Sequence, residues 1–153
     1  MNMDRQGQVQ WSDRADRFPD LGPGIVLHLD PDELERLGGR YTGGEVFRVQ
    51  GGHFFLCLDD DGSVGHWLPL FSKPGTGRFL LTGQRHGHIK WTGVMAYYHP
   101  GQVWIASHDA IVGAAESGRD RSTPAARNRL DVVDLPRLPQ LGLGTNPDSR
   151  DAP

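Results

Sequence analysis

Apolar positions along this chain fall into short runs separated by glycine, proline and aspartate, and those runs carry the fold prediction. The two densest are residues 53–58 and 66–72, with Asp59-Asp60-Asp61-Gly62 between them. Asp-Gly between apolar runs signals a hairpin, because glycine takes positive φ without steric cost. Residues 45–49 alternate polar and apolar, with Val46 breaking the strict pattern, and predict the opening strand of the same sheet. Residues 53–58 are apolar almost without interruption, as expected of a strand covered on both faces. Residues 66–72 pair with them in this reading. Pro69 has no N–H to give a ladder, so it marks an edge or a bulge. Runs at 78–81, 94–98 and 101–106 predict three more strands. Residues 25–29 are either a strand or the approach to a helix.

Two helices carry their own start and stop signals. Asp30 suits an N-cap, Pro31 the first helical position, and Asp32 and Glu33 the positive end of the dipole, with Gly38-Gly39 as the stop. Ser107 caps a second short helix over 109–116, ended by Gly118. The sum is a mainly β fold with short helices, a small half-open antiparallel barrel. Three regions follow: an N-terminal arm over 1–24, the barrel domain over 25–118, and a Pro/Arg-rich C-terminal tail over 119–153. Both arms are read as flexible, with Leu130, Val132 and Val133 able to dock one turn or strand.

Composition sharpens this picture. The apolar fraction is 37%, while Gly 21 and Pro 11 are both high, which favours a compact centre with loose ends. A formal net charge of -3 does not advertise a nucleic-acid binder in bulk, though it leaves room for a local basic groove. The single Cys57 lies in an apolar run and reads as a small buried hydrophobe. One thiol makes no internal disulfide, and no stretch reaches the roughly 18 apolar residues of a membrane span. The polar N-terminus carries both charge signs and does not resemble a signal peptide. The expectation is a cytoplasmic protein with no membrane contact.

The sharpest chemical cluster is Arg85-His86-Gly87-His88-Ile89-Lys90-Trp91. Metal-free RNA cleavage needs a base, an acid and a cation for the phosphate. Histidine serves as acid or base near neutrality, Arg and Lys hold phosphate, and Trp91 can stack on a base. On a strand, His86 and His88 share a face. The competing reading is a solvent-exposed polar loop. His86, His88, His99 and His108 or Asp109 supply zinc only if the fold gathers them, and no HExxH or CxxC spacing is present, so no metal or other cofactor is expected. His53 is either a strand-end residue with a satisfied hydrogen bond or a substrate contact. The three consecutive aspartates lack the rest of a calcium loop and read as a solvated turn. Trp67, Trp91 and Trp104 suit a small core.

Three stretches, in order, resemble the MazF/PemK toxin family. Gly44-Glu45-Val46-Phe47-Arg48-Val49 resembles its opening strand, Pro69-Leu70-Phe71-Ser72 a later strand end, and Gln102-Val103-Trp104-Ile105-Ala106-Ser107, followed by Ala110-Ile111, the strand that leads to its last helix. The resemblance spans about residues 44–112. It implies an SH3-like barrel and a metal-independent endoribonuclease that cleaves single-stranded RNA, forms a homodimer and meets an antitoxin peptide. It also implies a catalytic role for Ser72. The family's Arg-Pro pair is replaced here by Gly51-Gly52-His53, its Thr by Phe71, and an Arg by Trp104. The expected catalytic set is Arg85, His86, His88 and Ser72, with Lys90, Trp91 and His53 as substrate contacts. The competing function is a non-catalytic barrel that binds a protein partner or nucleic acid, on its own or as a subunit of a larger assembly.

Overall fold

A computed structural model of the chain describes residues 18–138. Expectations for residues 1–17 and 139–153 lie outside the described residues. Nine strands follow in chain order: β1 (Ile25–Leu29), β2 (Arg40–Tyr41), β3 (His53–Asp60), β4 (Val64–Pro69), β5 (Phe79–Leu80), β6 (Arg85–His86), β7 (Tyr97–Tyr98), β8 (Trp104–Ser107) and β9 (Asn128–Leu130). Three α-helices join them: α1 (Pro31–Arg36), α2 (Ile89–Thr92) and α3 (His108–Ser117). Seven strands form one antiparallel sheet in the order β2-β8-β4-β3-β1-β9-β6. Its edges, β2 and β6, do not pair, so the sheet is open among the described strands. β5 and β7 form a separate ribbon, tied to the end of β4 by a bridge between Phe71 and Tyr97.

The β3–β4 hairpin forms where the Asp-Gly signal put it. Phe55 faces Pro69, Leu56 faces Leu68 and Cys57 faces Trp67, with a bulge before Asp59. The Asp61 carboxylate accepts the N–H groups of Ser63 (2.9 Å) and Val64 (2.8 Å), which closes the turn and holds this carboxyl below its ordinary value. Asp30 and Ser107 cap their helices through the N–H groups of Asp32 and Ala110, as read from sequence.

Strand alternation then divides the core in two. Leu27, Leu29, Phe55, Cys57, Trp67, Trp104 and Ala106 face α1 and α3. Val26, Leu56, Leu68 and Val103 face the other way, where Leu81, Trp91, Leu130 and Leu138 cover them. Both faces of the sheet are therefore buried, which explains the unbroken apolar run in β3. Burial raises the Cys57 thiol well above its ordinary value, so it is inert.

Two expectations change. Residues 45–49 are not a strand. Residues 45–47 coil into a 3-10 turn, with the Phe47 N–H on the Gly44 carbonyl (3.3 Å) and the Arg48 N–H on the Glu45 carbonyl (3.2 Å). β2 already occupies the free side of β8, so no ladder remains for this segment. Gly43 starts the departure at φ +91°, where a Cβ would come within 2.6 Å of the Gly101 carbonyl. The second change is at the ends. β9 pairs with both β1 and β6, so residues 119–138 belong to the folded body. Residues 18–24 belong to it as well. Arg127, wholly buried, donates to both carboxylate oxygens of Asp20 at 3.0 and 2.9 Å, and its guanidinium lies 4.8 Å from the Phe18 ring centroid.

Candidate functional site

The sheet's antiparallel order brings the start of β3, the end of β4 and the start of β8 to one end. The loops beyond them enclose a groove of about 800 Å³. It is lined by Val46 and Phe47 of the 3-10 turn with the following Arg48, and by Ser72, Lys73, Thr76 and Arg78 of the loop after β4. His53, Phe71, His99 and Gln102 complete it. Among the described residues no carboxylate lines the groove, in a chain with Asp+Glu 19 against Lys+Arg 16. The groove is thus a local basic surface on an acidic protein.

Its cations differ in availability. Arg48 is a wall strut. It donates to Asp32 (2.7 Å), Glu35 (2.9 Å) and the Val49 carbonyl (2.9 Å). Burial alone would lower its pKa, but the hydrogen bonds and charges of Asp32 and Glu35 prevail and raise it. Arg78 lies flat on Phe71, 3.7 Å from the ring centroid, and donates to the Lys73 carbonyl at 3.0 Å. The Lys73 ammonium is exposed and has no partner among the described residues. These two are the cations a ligand can reach.

The aromatic groups are also placed for contact. Phe47 is 68% exposed and lies beside His99, with ring centroids 6.3 Å apart. Its exposed area is held at the lip by Gln102, a buried side chain. The Gln102 amide oxygen accepts the Val49 N–H (3.0 Å) and the Trp104 indole N–H (3.0 Å), and its nitrogen donates to the Phe47 carbonyl. Phe47 is therefore an exposed ring on a restrained backbone.

The sequence-predicted residues divide between two places. Ser72 and His53 line the groove; Arg85, His86, His88, Lys90 and Trp91 do not. His53 has a backbone carbonyl at each ring nitrogen, Leu70 2.8 Å from Nδ1 and Gln50 3.0 Å from Nε2, and a neutral ring donates to one of the two. The Ser72 hydroxyl is exposed and makes no side-chain hydrogen bond among the described residues.

The 85–91 segment is built largely as structure. Arg85 donates to the carbonyls of Trp91 (2.9 Å), Val94 and Leu81 (3.4 Å), and covers the Trp91 ring at 4.5 Å. Burial lowers its pKa. Trp91 is 0% exposed and donates to the Arg129 carbonyl (3.0 Å), so it cannot stack on a base. His88 caps α2 through its Nδ1 and the Lys90 N–H (3.1 Å). His86 stands on the surface against Asp131 (2.8 Å). Among the described residues no three His, Cys, Asp or Glu side chains are grouped to hold a metal.

No family model, curated protein or solved structure matches this chain. The site stands on its geometry alone. Its reachable groups are Lys73 and Arg78, which sequence reading left unassigned, Phe47, which it placed in a strand, and His99, which it weighed as a metal ligand. The signal available was that Lys73 and Arg78 flank Pro74-Gly75-Thr76-Gly77, a turn-forming stretch and so a surface loop. Among the described residues no helix is long and apolar enough to cross a membrane.

Proposed function

We propose that this chain binds single-stranded RNA in the groove and holds it without cutting it. One observation carries the reading: two reachable cations and an exposed ring share a cleft that no carboxylate lines. Single strands are gripped by that combination, with phosphates on cations and bases on aromatic faces. The endoribonuclease reading is set aside because it needs an acid and a base at the scissile phosphate. Of the groove histidines, His53 has a backbone carbonyl at each ring nitrogen, which leaves His99 without a second histidine to share acid and base roles, and the His86–His88 pair lies outside the groove. On this proposal the sheet is the half-open, SH3-like curl of the toxin resemblance, and its open end serves as the binding face.

The test is titration of labelled single-stranded RNA at several salt concentrations, with the RNA then checked on a gel. The RNA is expected intact. Log affinity falls with log salt at a slope of about -0.7 per phosphate contact, so about -1.4 for Lys73 and Arg78 together. Phe47→Ala weakens binding by roughly 1–3 kcal/mol. His86→Ala with His88→Ala leaves binding unchanged. A salt-independent affinity, or binding lost only in the histidine double variant, rejects the groove.

A second reading, protein contact, has its own observation. Phe79, Leu80 and Met95 are exposed around the β5–β7 ribbon, and β5 is a free edge. A second copy or an antitoxin-like peptide pairing there would raise the mass measured by light scattering. Leu80→Lys would return it to that of the monomer.

A further inference from the structure

The corner of the groove formed by Lys73, Arg78 and His99 is more specific than a cationic wall. Arg78 is fixed in three ways: its N–H bonds the Gly75 carbonyl (3.0 Å), one Nη bonds the Lys73 carbonyl (3.0 Å), and its plane rests on Phe71. The remaining N–H groups of its fork have no partner among the described residues. His99 is fixed too. Its Nδ1 accepts the Gly101 N–H at 2.9 Å, which leaves the proton of a neutral ring on Nε2 as a donor. Nε2 faces Gly77, which sits at φ +75°; a Cβ there would come within 2.7 Å of it. The space beside this donor stays open because position 77 has no side chain. The loop thus carries a guanidinium fork and an ammonium into the lining of the same groove as a directed ring N–H.

Resting on the groove reading, we infer that this corner is a subsite for a phosphate monoester, the terminal phosphate of a nucleotide or of a strand end. The charge decides between ester types. Arg48 is neutralised by Asp32 and Glu35, so the uncompensated cations are Lys73 and Arg78. A monoester carries about -1.5 to -2 at neutral pH and offers three terminal oxygens. A backbone diester carries a single charge on two such oxygens, so a strand interior needs two phosphates, one on each cation, to match what one monoester matches alone. Three donor groups arriving from separate side chains suit three oxygens, and the planar fork of Arg78 takes two of them at once.

The test compares short RNAs of one sequence, ending either in a phosphate or in a hydroxyl, with adenosine monophosphate against adenosine as the minimal pair. The phosphate-ended strand binds at least about tenfold more tightly, the order expected of added charge-assisted hydrogen bonds. Arg78→Gln and, separately, Lys73→Gln bring the two strands to the same affinity; His99→Gln narrows the gap. Strands that bind with equal affinity whatever their end overturn the subsite while leaving the groove reading intact. So does an end preference that survives Arg78→Gln and Lys73→Gln. Adenosine monophosphate bound in preference to adenosine, with no strand bound, supports the subsite and removes the strand reading.

Discussion

Replacing Arg127 with alanine lowers the unfolding free energy by about 3–5 kcal/mol, the cost of leaving a buried ion pair with one partner. The side chain is wholly buried, and its guanidinium joins two distant segments. Both Asp20 oxygens accept from it on one side, and on the other the Ser122 carbonyl (3.0 Å) and hydroxyl (2.8 Å) do so. Its loss leaves the Asp20 carboxylate with only Arg129, 3.7 Å away, and opens a cavity beside Phe18. For a domain of this size the melting temperature falls by roughly 10–15 °C. Thermal unfolding followed by circular dichroism measures it, and a shift of only a degree or two sinks the argument.

The same pair sets an acid limb. Partial burial on its own would raise the Asp20 carboxyl, but the hydrogen bonds and charge of Arg127, with help from Arg129, hold it below its ordinary 3.8. The fold therefore binds fewer protons at Asp20 than the unfolded chain does. The contribution is complete above that ordinary value and is lost as pH falls through the lower folded one. Asp20→Asn should be less stable than the parent at neutral pH and should lose less as the solution is acidified. Parallel acid limbs for the two proteins contradict this account.

What the sequence disclosed tracks how local each signal is. The β3–β4 hairpin needed only Asp61 and Gly62, and the caps at Asp30 and Ser107 needed only their own first turns. β9 was obscured because its partners, β1 and β6, are remote in the chain, and because Arg127 looks like any tail arginine until Asp20 is beside it. The groove was obscured for the same reason: residues 46–53, 71–78 and 99–102 meet only when three strand ends align. At Arg85–Trp91 the residue types were informative but their use was not. An arginine over a tryptophan suits a ligand and a core equally well, and here Arg85 serves three carbonyls. The strand expected at 45–49 failed on competition, since β2 had already taken the open side of β8.

Trp104 is where the core and the groove become one structure, and its replacement by alanine costs about 3–5 kcal/mol as well. The ring is buried in β8, with Phe55 edge-on at 6.0 Å, Tyr41 at 4.8 Å and the Arg48 guanidinium 5.6 Å from its centroid. Its indole N–H also holds Gln102, and Gln102 holds the backbone of Val49 and Phe47. Two substitutions separate these roles. Trp104→Ala removes the packing, and its midpoint in urea drops with the slope unchanged. Trp104→Phe keeps most of the ring volume and loses one hydrogen bond, about 1 kcal/mol. Gln102 then has one restraint fewer, so on the proposed RNA reading the Phe47 lip loosens and affinity falls several-fold, while the proposed preference for a phosphate end is kept because Lys73, Arg78 and His99 are untouched. If Trp104→Phe binds RNA as tightly as the parent, the indole N–H does not position the lip, and Gln102 holds Phe47 and Val49 without that restraint.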